Sequence, residues 1–183
     1  IDPNIDYTGF DATKPYIKFA KKNFRNNKLV KFDLQNIFSL SSKYYNKFDI
    51  VFCSNVLHHL PSVDLALKNL LKASKKYCII RTLIGNNTHL SKFYHTDKTN
   101  KKNILDSFQF QNTYSYNFIK KKIRNIGKYE ISFLEDRFTG SKINKEYKKY
   151  KKNYPGLTKY VDGIQISGSK VFEWKWIKIK KAS

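Results

Sequence analysis

Methionine is missing from every one of the 183 positions, the first included. A primary translation product begins with it, so the chain is expected to be a processed product or a fragment. Long apolar runs are missing too. No stretch of about 18 apolar residues occurs, and the amino end is polar instead of basic and then apolar, so neither a membrane span nor a signal peptide is visible. Cysteine is scarce: Cys53 and Cys78 are the only two, and both lie in apolar, strand-like runs, where a reduced thiol acts as a small hydrophobe. A cytoplasmic, disulfide-free protein is expected. His89 and His95 lack cysteines or acids at metal-ligand spacing, so no metal site is expected. Repeats and low-complexity linkers are absent, and 183 residues with 40% apolar composition fit one domain over residues 1–183.

Acids are few, 14 against 36 cations, for a net charge of +22. Clustered cations gain from counterion release on a polyanion. Yet only Arg25, Arg81, Arg124 and Arg137 are arginines, whereas base readout and bidentate phosphate grips favour the planar guanidinium fork. Lysine, asparagine, isoleucine, tyrosine and phenylalanine dominate together, as AT-rich codons would supply. The excess therefore reads as compositional bias ahead of a nucleic-acid partner, and that partner stays open as the alternative.

What is present is an alternation of strands and helices. Apolar patterning predicts a strand over 5–10, an amphipathic helix over 16–24 with Ile17 and Ala20 inward, and a strand over 29–32 ending at Asp33. "FDIVFCS", 48–54, reads as a central parallel strand covered on both faces. Residues 56–74 carry Leu57, Leu60, Leu65, Leu67, Leu70 and Leu71 around Pro61, which predicts a kinked or two-part helix. "YCIIRTLIG", 77–85, gives another buried strand. Such an order calls for an α/β doubly wound sheet. Residues 86–113 are polar with scattered aromatics, too long for a connector, and read as an inserted lid between core segments 5–84 and 113–181. Ser115 is placed to cap a helix running to Gly127, and 129–134 alternates as a strand. In "VFEWKWIKIKK", 171–181, the alternation slips at Ile177, which predicts a bulge or twist in an edge or penultimate strand.

Ligands of doubly wound sheets lie beyond the carboxyl ends of the strands. Asp11 ends the first strand, Asp33 the second, and Ser54 with Asn55 the third. Two acids 22 residues apart at successive strand ends can accept hydrogen bonds from a nucleoside, one from ribose hydroxyls and the other from an exocyclic amine. Each alone could instead be a turn former or helix cap. His58 and His59 follow the third strand. An imidazole there could deprotonate a substrate hydroxyl, or it could simply pack the helix start. Tyr94, Tyr114, Tyr116, Tyr154 and Trp174 could form a stacking wall over a substrate, or pack as ordinary core.

"YTGFDAT", "VKFDLQN" and "FDIVFCSNVLHHLP" together resemble the class I S-adenosylmethionine-dependent methyltransferases, in particular the small-molecule group with a His-His-Leu-Pro type turn after the fourth strand. The resemblance covers residues 5 to about 84 by motif, and 113–181 by strand order. It implies a Rossmann-like sheet, mostly parallel with an antiparallel C-terminal strand. The family's first strand and Gly-rich loop have no counterpart here, and "ASKKYC" stands where a Pro-Gly-Gly turn is usual.

By position, the resemblance implies that Asp11 holds the ribose hydroxyls and Ala12 lies against the adenosine. Asp33 and Leu34 meet the adenine, Ser54 and Asn55 line the methionine end, and His59, with His58 second, is the catalytic base. The cofactor implied is S-adenosylmethionine, and the reaction is methyl transfer to an oxygen or nitrogen of a small-molecule or sugar-like acceptor. A faint likeness of the C-terminal part to methyltransferases of surface-polysaccharide genes points to a saccharide. A non-catalytic relic or binding module is the competing reading, and an RNA methyltransferase a further one. The sequence fixes no oligomeric state.

Overall fold

The computed structural model of the chain describes residues 4–94, 108–136, 159–161, 164–167 and 170–181. It opens with β1 (Tyr7–Asp11), α1 (Lys14–Asn23) and β2 (Val30–Leu34). The two strands pair in parallel from Tyr7 against Val30 to Asp11 against Leu34, with α1 as the crossover, as the patterning predicts. Pro15 lies in the first turn of α1, where its missing N–H costs nothing. Gly9 is needed where it stands, because a Cβ there would come within 2.7 Å of the Phe32 ring.

A second, larger sheet is built from β3 (Phe48–Ser54), β4 (Ser74–Gly85), β8 (Tyr129–Glu135) and β12 (Trp174–Lys181). Its order is β3-β4-β12-β8, with the short β7 (Tyr114–Ser115) added in parallel at the end of β4. β3 and β4 are parallel, and β12 runs antiparallel between β4 and β8. An antiparallel penultimate strand near the C-terminus is therefore what the chain forms.

One face of this sheet is covered. A 3-10 turn (Leu57–His59) and then α2 (Asp64–Ala73) follow β3, the two-part helix expected around Pro61. Val63, Ala66, Leu67, Leu70 and Leu71 recur at helical spacing and face the sheet. Later α3 (Tyr116–Arg124) adds Ile119 and Ile123. These residues close over Cys53, Cys78, Ile80, Ile84, Ile177 and Ile179. Ser115 caps α3 as predicted, its hydroxyl accepting from the Phe118 N–H at 3.2 Å, although the helix stops at Arg124. At the other end of α2, Ser74 replaces a glycine turn: its hydroxyl donates to the Leu71 carbonyl at 3.1 Å, and β4 starts with no loop between.

Two expectations are corrected. β3 is not a central strand covered on both faces: it pairs only with β4 among the described residues, and Ile50 and Phe52 are 57% and 59% exposed. The alternation slip at Ile177 is not a bulge either. Register runs unbroken from Trp174 against Leu83 to Lys180 against Tyr77, and the chain breaks instead at Glu173, between β11 (Lys170–Phe172) and β12. The apolar residues simply change face, Trp174 and Trp176 lying on the open side and Ile177 and Ile179 in the core.

Within 86–113, β5 (Lys92–Tyr94) and β6 (Phe108–Phe110) form an antiparallel pair; 95–107, with His95, fall outside the described residues. β9 (Lys159–Val161), β10 (Ile164–Ser167) and β11 make a three-stranded antiparallel sheet. Cys53 and Cys78 are buried free thiols, and burial pushes the Cys53 thiol up to about 12. No helix among the described residues is long and apolar enough to cross a membrane.

Candidate functional site

The carboxyl end of β3 runs into Ser54, then Asn55, whose φ of 59° lies in the left-handed region that asparagine tolerates better than most residues. The turn that follows is pinned by a buried polar cluster. Asn112 donates its amide N–H to the Leu60 carbonyl at 2.8 Å and its backbone N–H to the His58 carbonyl at 2.9 Å, while the Tyr114 hydroxyl donates to the Leu57 carbonyl at 2.8 Å. Each bond satisfies a backbone group that burial would otherwise strand. The two histidines are thereby held in fixed and different surroundings.

His59 is exposed, and its Nδ1 lies 3.0 Å from the Phe110 carbonyl. A carbonyl can only accept, so Nδ1 carries the proton and Nε2 of the neutral ring keeps its lone pair. That is the tautomer of a general base. His58 is 3% exposed, with ring centroids 3.8 Å from His59 and 5.0 Å from Trp174. Its Nδ1 has no hydrogen-bond partner. Burial, and after it His59 and Arg81, push its pKa down to about 4, so His58 is neutral at neutral pH.

Arg81, paired with Ser54 across β3 and β4, completes this group. Its Nε donates to Asp136 Oδ2 at 2.7 Å, its Nη2 donates to the same oxygen, and its Nη1 donates to Asn55 Oδ1 at 2.6 Å. The guanidinium stacks 4.2 Å over the Trp174 ring and 5.8 Å from that of Trp176. Arginine and aspartate side chains are only 12% and 11% exposed, and each neutralises the other.

Asp11, Ala12, Asp33 and Leu34 form a separate group. Asp11 and Leu34 are paired neighbours at the ends of β1 and β2. One Asp11 oxygen accepts from the Thr13 N–H at 2.7 Å and so shapes the entry into α1. Asp33 accepts from the Tyr44 hydroxyl, and Lys43 stands 3.8 Å from it. Phe10 packs against Tyr44 and Phe48, so this group is tied to the amino end of β3, while Ser54 and Asn55 close its carboxyl end. The two groups belong to different sheets, β1-β2 and β3-β4-β12-β8. A 470 Å³ cavity borders the first, lined by Lys21, Arg25, Lys31, Asp33 and Tyr44 among others. Among the described residues no cluster of three His, Cys, Asp or Glu could hold a metal.

Of the predicted aromatic wall, Tyr114 is core, stacked on Phe118, and Tyr116 packs edge-on to Phe133. Tyr94 is exposed beside Phe108, Trp174 backs Arg81, and Tyr154 lies outside the described residues. Sequence reasoning missed Arg81, Asp136 and Asn112. Arg81 did carry a signal: a lone cation inside the apolar run "CIIRTLI" needs a buried partner. Asp136, 55 residues away, carried none.

A family model described as a methyltransferase domain matches residues 1–152. Solved structures similar to the chain include an S-adenosylmethionine-dependent methyltransferase from Mesorhizobium loti, with a TM-score of 0.59 and 11% identity, covering 96% of this chain and 81% of that one. The 1,6-didemethyltoxoflavin-N1-methyltransferase of Burkholderia thailandensis, solved with its substrate and S-adenosylhomocysteine, gives 0.57 and 12%, with 96% and 61% covered. A phosphoethanolamine N-methyltransferase of Haemonchus contortus, solved with phosphomonomethylethanolamine and S-adenosylhomocysteine, gives 0.61 and 14%, with 98% and 44% covered. The chain thus spans about half the length of the last two. No curated protein matches it.

Proposed function

Since the chain belongs to the methyltransferase-domain family, its model matching residues 1–152, we propose that it transfers a methyl group from S-adenosylmethionine to an oxygen or nitrogen of a small-molecule or sugar-like acceptor. The observation that carries the reading is His59, exposed just beyond the carboxyl end of β3, with its proton held on Nδ1 by the Phe110 carbonyl at 3.0 Å and its Nε2 lone pair available. A base fixed in this tautomer takes a proton from an acceptor hydroxyl or amine as that group attacks.

The donor set suits the cofactor's chemistry. Asp11 keeps one carboxylate oxygen for ribose hydroxyls, since only the other is used at the turn. Ala12 and the exposed Leu34 offer apolar surface to the adenosine, and Asp33 offers a carboxylate to its amine. Ser54 and Asn55 hold the methionine end. When bound, the cofactor supplies a methyl group made electrophilic by its sulfonium, and transfer then needs alignment with the attacking atom. His58 is neutral, packed and walled off by Trp174; it orients the turn and leaves proton transfer to His59.

Calorimetry with S-adenosylhomocysteine tests the cofactor assignment. Micromolar binding is expected, weakened about tenfold in Asp11→Asn, as befits a lost charge-assisted hydrogen bond. Absence of heat would favour the non-catalytic binding-module reading, for which Asp11 merely shapes a turn and Asp33 merely holds the Tyr44 hydroxyl. For the chemistry, labelled-methyl transfer to nucleotide sugars and small amines should fall about 10²- to 10⁴-fold in His59→Asn, with S-adenosylhomocysteine affinity unchanged.

A further inference from the structure

We propose that Arg81 is a positioning residue: it locks the Asn55 amide as a hydrogen-bond donor at the carboxyl end of β3, set to receive a carboxylate or carbonyl oxygen of a bound ligand. The ligand half of this inference rests on the methyl-transfer reading; the positioning half does not.

Arg81 is not itself an anion grip. Its charge is spent on Asp136, through both Nε and Nη2, in a place where the two side chains are nearly shielded from water. Its position over the Trp174 ring, with Trp176 beyond, together with the two bonds to Asp136 restrains the guanidinium. A delocalised planar cation is suited to such a place, and a lysine ammonium is not. With the group so restrained, Nη1 is left aimed at Asn55 Oδ1 at 2.6 Å.

That contact decides which way the amide faces. Guanidinium has donors and no acceptor, so a flipped amide would set its N–H groups against those of Arg81. Ser54 reinforces the choice, its hydroxyl donating toward the same Oδ1 at 3.4 Å. The acceptor end of Asn55 is therefore consumed, and the end offered to a ligand is Nδ2 with its two hydrogens. The backbone is held as well: the Asn55 N–H donates to the Arg81 carbonyl at 3.0 Å, which secures the left-handed φ of 59°. A residue fixed at both ends, presenting only donors, selects oxygen acceptors and rejects N–H groups.

The test combines a ligand-free and a ligand-bound readout on the full chain. In ¹⁵N relaxation, the Asn55 side-chain amide of the wild type should be rigid, with a heteronuclear NOE well above those of the exposed Asn86 and Asn87. Arg81→Lys should bring it down to their level. In titrations with S-adenosylhomocysteine, Asn55→Asp, which keeps a partner for Arg81 but offers no donor, should bind about tenfold more weakly. Asn55→Gly suits the φ of 59° and should lose about the same, so these exposed-site variants keep the inference testable even where Arg81→Lys does not fold.

A wild-type Asn55 amide as mobile as Asn86, or one still rigid in Arg81→Lys, overturns the positioning role. Wild-type affinity in Asn55→Asp overturns the donor role. A rigid, Arg81-dependent amide in a chain that takes up no S-adenosylhomocysteine overturns the cofactor assignment and the ligand half, and leaves the positioning role standing.

Discussion

His58 and His59 are adjacent in the chain and chemically unlike, and the difference is burial. His58 is excluded from water and packed on His59 and Trp174; His59 faces out with its tautomer set by Phe110. Patterning placed both after the third strand, and only the family resemblance ranked His59 ahead of His58; that one is buried and the other exposed, as neighbouring residues of one turn point to different sides of it, was not legible. Linkage makes the difference measurable. With a folded pKa near 4 against an ordinary 6.5, His58 refuses a proton that the unfolded chain accepts. Its contribution is fully present above pH 6.5 and is lost as pH falls from 6.5 toward 4, by up to about 3 kcal/mol. The thermal midpoint should drop across this window, and His58→Gln should flatten the drop. An equal slope in the variant would assign it to other groups.

At the scale of elements, β12 shows what a pattern can and cannot say. Strand identity and an edge or penultimate place were legible from "EWKWIKIK", while the antiparallel direction came from the family resemblance. The change of phase at Ile177 was not decipherable, because it reflects two different apolar environments on opposite faces: a Trp–Arg stack on one, the α2–α3 core on the other. Ile177 is fully buried, so Ile177→Ala should cost about 2–5 kcal/mol in urea unfolding. Ser115→Ala, removing a cap whose bond is seen in the structure, should cost about 1 kcal/mol. A reversed order would mean that α3, and not the sheet, holds this core together. β3 carries the matching lesson in the other direction. Its unbroken apolar run predicts cover on both faces, yet α2 and α3 both pack on one side, and Ile50 and Phe52 stand exposed on the other.

For the whole molecule, charge is the property composition states most plainly. At +22 the chain repels itself, and most ion pairs among the described residues are partly exposed to solvent, where each is worth little. Screening shortens from about 30 Å at 0.01 M salt to about 3 Å at 1 M, so added sodium chloride should raise the thermal midpoint by about 2–4 °C, or roughly 1 kcal/mol. A falling midpoint would show that the ion pairs outweigh the repulsion.

The sequence by itself determined the β-α-β opening, the strand and two-part helix around "FDIVFCSNVLHHLP", the Ser115 cap, the antiparallel close and the methyltransferase family, because periodicity, capping and short motifs are local. Only the tertiary structure decided which histidine is buried and which keeps a usable lone pair, that Asp11 and Asp33 belong to a different sheet from the strand that Asn55 follows, and that Arg81 reaches Asp136 across 55 residues. Those outcomes depend on which chain segments meet, and local patterning carries no record of its distant partners.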